Sequence, residues 1–494
     1  MTRTATIVAA ATLLASPARA VDCLADYAAL PLAERPTWCQ TTGGGSALTQ
    51  PGGMTWWAAP MTFIANGTAT SLLTLDSNLG TVLQTTTGVG AITNRPTPVK
   101  FSNGVKAAFV ANNTGYVFRI NPDTGACVWK TFIGRTSAAG ATINFPTGDG
   151  TCPGSVTAAC SGDQAVAQPT VRFNVVGGAY VESGSIVYAP TRYATTGPGC
   201  GTTTRNRIYA LDAVTGAPVW VFNRFASPND YNNPAATVLP PYNLSFISGA
   251  VLPDVWDDAC GAAGIRDVIY AGSTTATTQS TLWAINANSG ALVWSTTVGG
   301  LVTAPVLSYN SALCERLYVG TDASSTTAAN KSRLKSIGLT STVCGVNPVP
   351  CTLWTSGTTG NAAFNSAVTL NFSAVNAGAH AGKIVVTSNK TLTIVQDNGA
   401  TSADVCTYAP GTAQAVRSMP YLFPAQGKAY VGRADGLVAQ VALDSTCATG
   451  VVTRTLLDGT MAGDVYLDAD PTFATRWLVV GNDSGRVTRF NIPW

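Results

Sequence analysis

The sequence predicts a single all-β propeller of four-stranded blades, eight by the simplest count. Three observations carry this: a composition poor in charge, a hairpin motif with fixed spacing, and two repeat counts that agree. Charged residues make up 11% of the chain, and glutamate occurs only at Glu34, Glu182 and Glu315. Thr, Ser, Ala, Gly and Val dominate instead, which is the composition of short strands and tight turns rather than helices.

The motif is plainest in VFRINPDTGACVW (117–129), IYALDAVTGAPVW (208–220) and LWAINANSGALVW (282–294). Each is an alternating strand, an Asp or Asn, two residues, Thr or Ser, Gly, and a Trp four residues later. The Asx side chain can bond backbone groups two residues on and so initiate the turn. Glycine supplies the positive φ at the reversal. The second strand then places Trp129, Trp220 and Trp294 to stack on a neighbouring blade. Three copies at one spacing define a repeat.

Degenerate copies extend the count. Residues 72–76 lead to Gly80, with Gln84 where the Trp would stand. Residues 333–337 reach Trp354 through a longer turn flanked by Cys344 and Cys351, where a disulfide is expected to replace Thr-Gly. Strands at 392–397, 438–444 and 486–491 complete eight. Asn113-Thr-Gly115, Ala434-Asp-Gly436 and Asp483-Ser-Gly485 are hairpin turns ahead of such strands. Small residues or Pro where chains crowd the axis also give eight, at 59–60, 97–98, 168–169, 249–250, 304–305, 366–367, 419–420 and 463–464. The number falls to seven if the first or last copy is not a full blade. Because the chain stops after a third strand, residues 54–57 with Trp56 and Trp57 are expected to close the ring.

The organisation expected is a signal peptide over 1–20, an N-terminal extension over 21–50 pinned by Cys23 and Cys39, and a propeller over 51–494. A loop insertion falls at about 135–167. Arg3, an apolar run over 5–15 and Ala18-Arg19-Ala20 have the form of an exported leader. Residues 19–22 are not a lipobox, so no lipid anchor is expected, and no transmembrane segment follows. Secretion or a periplasmic location fits the twelve cysteines, since disulfides persist in oxidising compartments. No CxxC or CxxCH occurs, which disfavours structural zinc and haem c. Cys152 with Cys160 and Cys344 with Cys351 are plausible short-range pairs. A formal net charge of +3 predicts no nucleic-acid partner.

These docking segments resemble the repeats of the pyrroloquinoline-quinone (PQQ) propeller superfamily, most sharply between about 90 and 300. The superfamily holds quinoprotein alcohol dehydrogenases and non-catalytic relatives of the cell envelope, so the resemblance implies fold more than activity. The enzymes hold the quinone over the axis with Ca²⁺ or a lanthanide, using a Glu after a blade's second strand and an Asn in a Gly-Asn turn. An Asp in a Trp-Asp-Tyr-Asp-like segment is the base, and a vicinal disulfide covers the cofactor in many. Here residues 185–188 are followed by Ala-Pro-Thr-Arg-Tyr193, and residues 268–272 by Ser-Thr-Thr275. Val255-Trp-Asp-Asp258 looks like the base segment but precedes that turn, Glu182 lies before its strand, and no two cysteines are adjacent. A hard cation wants several oxygen ligands.

The candidate binding site is therefore an axial funnel of Arg95, Gln168, Asn365, Arg417 and Asp464, fit for an anionic or carbonyl-bearing ligand. The alternative is that these groups pair with one another and with water. Asp254, Asp257 and Asp258 form a second candidate, a Ca²⁺ loop. The favoured reading there is a solvated turn closed by Cys260 with Cys314. Trp129, Trp220, Trp294 and Trp354 are expected to be structural docking residues, and His380, the lone histidine, a surface-loop residue. The expectation is an exported, non-catalytic binding or scaffold propeller with no cofactor, whose partner is an envelope protein, an extracellular polymer or a small ligand. A PQQ-dependent oxidoreductase of alcohols using PQQ with Ca²⁺ is the alternative.

Overall fold

Period-two strands separated by Gly-containing turns can bury an apolar face only by stacking sheet on sheet, and the computed structural model shows how. It describes residues between 23 and 494 except for connecting segments, the longest being 42–49, 134–142, 151–167, 192–206, 223–241, 245–267, 322–332 and 357–370. The leader and Cys152, Cys160, Cys260 and Cys314 lie outside the described residues, as do Asp254, Asp257 and Asp258.

The strands form eight antiparallel sheets. Seven use strands consecutive in sequence. They are blade 1 (50–87), blade 2 (97–150), blade 3 (170–222), blade 4 (242–297), blade 5 (306–355), blade 6 (371–408) and blade 7 (421–455). Blade 8 is composite, because Ala462–Ala469, Arg476–Asn482 and Arg486–Ile492 take their outer strand from Trp38–Thr41. Apolar clusters join each blade to the next, for example Phe109 and Trp129 with Val187 and Tyr209, and Trp38 and Leu75 with Trp477 and Val479. The last of these closes the ring, joining blade 8 to blade 1.

Closure differs from the sequence expectation. Trp38–Thr41, not 54–57, supplies the outer strand, and Gln50–Met54 is the inner strand of blade 1. The ring thus draws a strand from the segment expected to be an extension, and the Cys23–Cys39 disulfide ties residue 23 to it. Ala59-Pro60 and Gly249-Ala250 accordingly fall between first and second strands rather than before first ones. Both pairs lie outside the described residues, and small residues with Pro do not by themselves tell the entry to an inner strand from another connection. The insertion is not all loop either, since Ile143–Gly150 adds a fifth strand to blade 2.

The motif works through one repeated contact. Asp212 Oδ1 accepts from the Val214 and Thr215 amides (3.1 and 2.8 Å) and from the Thr215 hydroxyl (2.8 Å), and Asn286 repeats the pattern. This turn presents a glycine to the Trp of the preceding blade. A Cβ on Gly216 (φ +72°) would meet the Trp129 ring at 2.6 Å, and one on Gly290 (φ +71°) would meet Trp220 at 2.6 Å. Trp38 lies on Gly80 in the same way. The indole N–H donates to a carbonyl of the same turn, from Trp129 to Ala213, Trp220 to Ala287 and Trp38 to Ser77, at 2.9–3.0 Å. Four of the indoles also meet an aromatic of their own blade's second strand: Phe109 against Trp129, Tyr188 against Trp220, Tyr270 against Trp294 and Tyr318 against Trp354. Those aromatics escaped the sequence reading because Tyr and Phe are ordinary strand residues.

Three blades lack the Trp: blade 1, blade 6 and blade 7, whose outer strand is Val452–Thr455. Gln84 stands at the Trp position of blade 1 and donates to the Asp123 carbonyl (2.9 Å). Cys406 pairs with Ile394 just before the register shift, as Trp294 pairs with Ala284, and is disulfide-bonded to Cys447 of blade 7. Cys344–Cys351 closes the long turn of blade 5. These three disulfides among the described residues are consistent with an exported protein.

The contact predicts a measurable asymmetry. Gly104 also has positive φ (+88°), but a Cβ there would meet nothing within 4 Å, so Gly104→Ala should cost only about 1 kcal/mol. Gly216→Ala should cost about 2–4 kcal/mol, because the Trp129 ring must also shift. Urea unfolding of both variants checks this, and equal losses would mean that the stacking contributes nothing.

Candidate functional site

Antiparallel order places the connections into each first strand, and the turns between second and third strands, on one face. The turns between first and second and between third and fourth strands lie on the other. The axial candidates belong to the first face. Gln168 Nε2 donates to Thr97 Oγ1 (3.3 Å), and the Thr97 hydroxyl donates to the Pro169 carbonyl (2.5 Å), which links blades 2 and 3 at their inner strands. Arg95 Nη2 reaches the Val465 carbonyl of blade 8 (3.4 Å). Arg95 and Gln168 thus sit at neighbouring inner strands. Asn365 and Arg417 lie outside the described residues, as does the side chain of Asp464, whose backbone is in the inner strand Ala462–Ala469.

Further polar groups on this face went unread in the sequence. Arg433, at the end of a second strand, forms a bidentate pair with Asp435 (Nε–Oδ1 3.1 Å, Nη2–Oδ2 2.5 Å) and donates to the Tyr408 hydroxyl (2.8 Å). Burial pushes the Tyr408 phenol up, against the opposing pull of Arg433. The Arg433 side chain therefore bridges blades 6 and 7. Its signal was only an Arg-Ala-Asp-Gly turn, indistinguishable from a solvated one.

The positions that would hold a quinone and its metal do not fit them. Strand Ala179–Pro190 runs into the site expected for the glutamate and is followed by Thr191, whose hydroxyl accepts from the Arg207 amide (2.9 Å). Glu182 sits in the same strand and is spent on an ion pair with Arg119 of blade 2. In blade 4 the segment Ser273-Thr-Thr275 is not a turn. It continues the strand Val268–Thr275, paired on both sides. Among the described residues no three His, Cys, Asp or Glu side chains converge.

The most elaborate polar centre is interior. Asp397, 2% exposed in blade 6, accepts from Arg316 (3.0 and 3.2 Å), the Tyr318 hydroxyl (2.7 Å), Trp354 Nε1 (3.0 Å) and the Gly399 amide (2.7 Å). Here a carboxylate takes the indole N–H that a backbone carbonyl takes at other seams. Burial raises the Tyr318 phenol far above its ordinary value, with Asp397 adding to it. A buried charge is tolerated only when so fully bonded, so this centre locks blade 5 to blade 6.

The Asp397 centre yields a clear expectation. Asp397→Ala strands the Arg316 guanidinium and should cost about 3–5 kcal/mol. The Arg316→Met/Asp397→Leu pair, which removes both charges, should cost clearly less. Chemical denaturation of the two variants reads the difference, and a double variant as damaged as the single would refute the pairing.

The family model described as outer membrane protein assembly factor BamB matches residues 204–491. The solved structure of BamB from Moraxella catarrhalis is 13% identical, with a TM-score of 0.49 over 90% of this chain and 96% of that one. Sqt1 of Saccharomyces cerevisiae is 10% identical (TM-score 0.54, 91% and 100% covered). The C-terminal WD40 domain of Sif2 is 9% identical (TM-score 0.51, 92% and 99%). At such identities Sqt1 and Sif2 support the propeller fold alone. No curated protein matches the chain in sequence.

Proposed function

We propose that this chain, which belongs to the outer membrane protein assembly factor BamB family of PQQ-like repeat propellers, is an exported, non-catalytic scaffold of the cell envelope. Its partner is a protein engaged in building the outer membrane, held on the face that carries Arg95 and Gln168. The observation that carries this reading is the fate of the polar groups where an enzyme of the fold would keep its ligands. The Thr191 hydroxyl is bonded to the Arg207 backbone and Glu182 to Arg119, and the backbone of Ser273 to Thr275 is paired in the sheet. Each serves the ring, which leaves surface and shape as what the molecule offers. No cofactor is needed for that role, and the disulfides fit an oxidising compartment.

The test is titration of the purified mature chain with PQQ, alone and with Ca²⁺ or La³⁺, followed by absorbance and melting temperature. A ligand selective for the native state must stabilise it, so the scaffold reading expects no shift and no dye reduction with alcohols. Saturable stabilisation with alcohol oxidation would replace it with a quinoprotein dehydrogenase of rearranged ligands. A photo-crosslinker at position 95 in cells should capture an envelope protein, and one placed at Gly104 on the opposite face should not. Reversal of that pattern would move the partner to the other side.

A further inference from the structure

The lone histidine lies in a pocket of about 620 Å³ on the face opposite the axial mouth, between blades 6 and 7. Three turns build it: Gly378-Ala379-His380 of blade 6, residues 424–428 of blade 7, and Asp444 after the third strand of blade 7. Several contacts fix these walls. A Cβ on Gly427 (φ +60°) would lie 2.7 Å from His380 Nε2, so glycine lets the imidazole rest against that turn. Lys383 Nζ lies 3.0 Å from His380 Nδ1 and donates to the Leu443 carbonyl (2.6 Å). An ammonium only donates, so Nδ1 is the acceptor and the proton sits on Nε2. The Cys406–Cys447 disulfide tethers the turn carrying Asp444.

The walls carry both signs of charge. Lys428 lines the pocket with Asp444. Bonds from Thr446, side chain first and then backbone, hold the Asp444 carboxyl below its ordinary range, and Lys383 and Lys428 add to this. Asp444 Oδ1 takes the Thr446 hydroxyl (2.5 Å) and amide (2.8 Å). Lys428 and Asp444 approach each other electrostatically but, among the described residues, form no ion pair with each other. Two unlike charges therefore line one space with no direct ion pair between them.

We propose that this pocket binds a zwitterionic ligand of short-peptide size, its carboxylate on Lys428 and its ammonium on Asp444. A simple anion would face the Asp444 carboxylate, and a simple cation would face Lys428 and Lys383. Only a ligand carrying both signs complements both walls. The volume lies in the range of small-ligand sites, and Pro424, Ala425 and Ala379 supply an apolar side. The site is independent of the scaffold role of the axial face.

Isothermal titration of the mature chain with triglycine, N-acetyl-triglycine and triglycine amide tests it. Triglycine should bind saturably, and each blocked peptide about tenfold more weakly. In Asp444→Asn the acetylated and free peptides should bind alike, and in Lys428→Gln the amide and free peptides should. The single imidazole resonance of His380 reports the location and should move on titration. Melting temperatures of the two surface variants confirm that they fold. No saturable heat, equal binding of blocked and free peptides, or an unmoved His380 resonance would overturn the proposal.

Discussion

The ring depends on its seams, and at three of them one blade lays an indole on a glycine of the next. A four-stranded sheet has two faces to bury and too few residues to bury them alone, so its stability lies in the seam. The Trp129, Trp220 and Trp38 rings each close a seam with a large apolar area and one N–H bond to a turn carbonyl. The glycine is demanded twice, by positive φ and by the approach of the ring. The turn is held in shape by the Asx side chain, so three short-range sequence features serve one long-range contact.

The seams that break the rule show what the rule does. Where blade 6 lacks the Trp, a disulfide from the same strand position reaches the same kind of turn in blade 7. Where blade 5 keeps its Trp, the acceptor is a buried carboxylate satisfied by five donor contacts. Arg119 and Arg489 add bonds to turn carbonyls of the following blade, at Ala213 and Ser77. Covalent, ionic and aromatic solutions thus occupy equivalent places. Seams that are chemically unlike also resist pairing in the wrong order, a form of specificity identical repeats would lack.

The same economy separates the two faces. On the face of Arg95 and Gln168, described polar groups bridge blades, as Arg433 does from blade 7 to Tyr408 of blade 6. On the opposite side the His380 pocket keeps Lys428 and Asp444 facing one space. Among the described residues, turns from adjacent blades leave a gap at the His380 pocket.

The sequence by itself determined the repeat, the all-β class and the role of the docking Trp residues, because Asx, Gly and Trp act through neighbours close in the chain. At residues 189–193 and 273–275 it reads unlike the quinone enzymes that its repeats resemble. Tertiary structure alone decided which strand closes the ring, since Trp38 pairs with Arg489 across nearly the whole chain and no local pattern encodes that partner. It likewise decided the fate of Glu182, the Asp397 centre and the pocket around His380. Each joins residues from different strands or blades, and a polar side chain reads the same in sequence whether it meets water, a ligand or an arginine of the next blade.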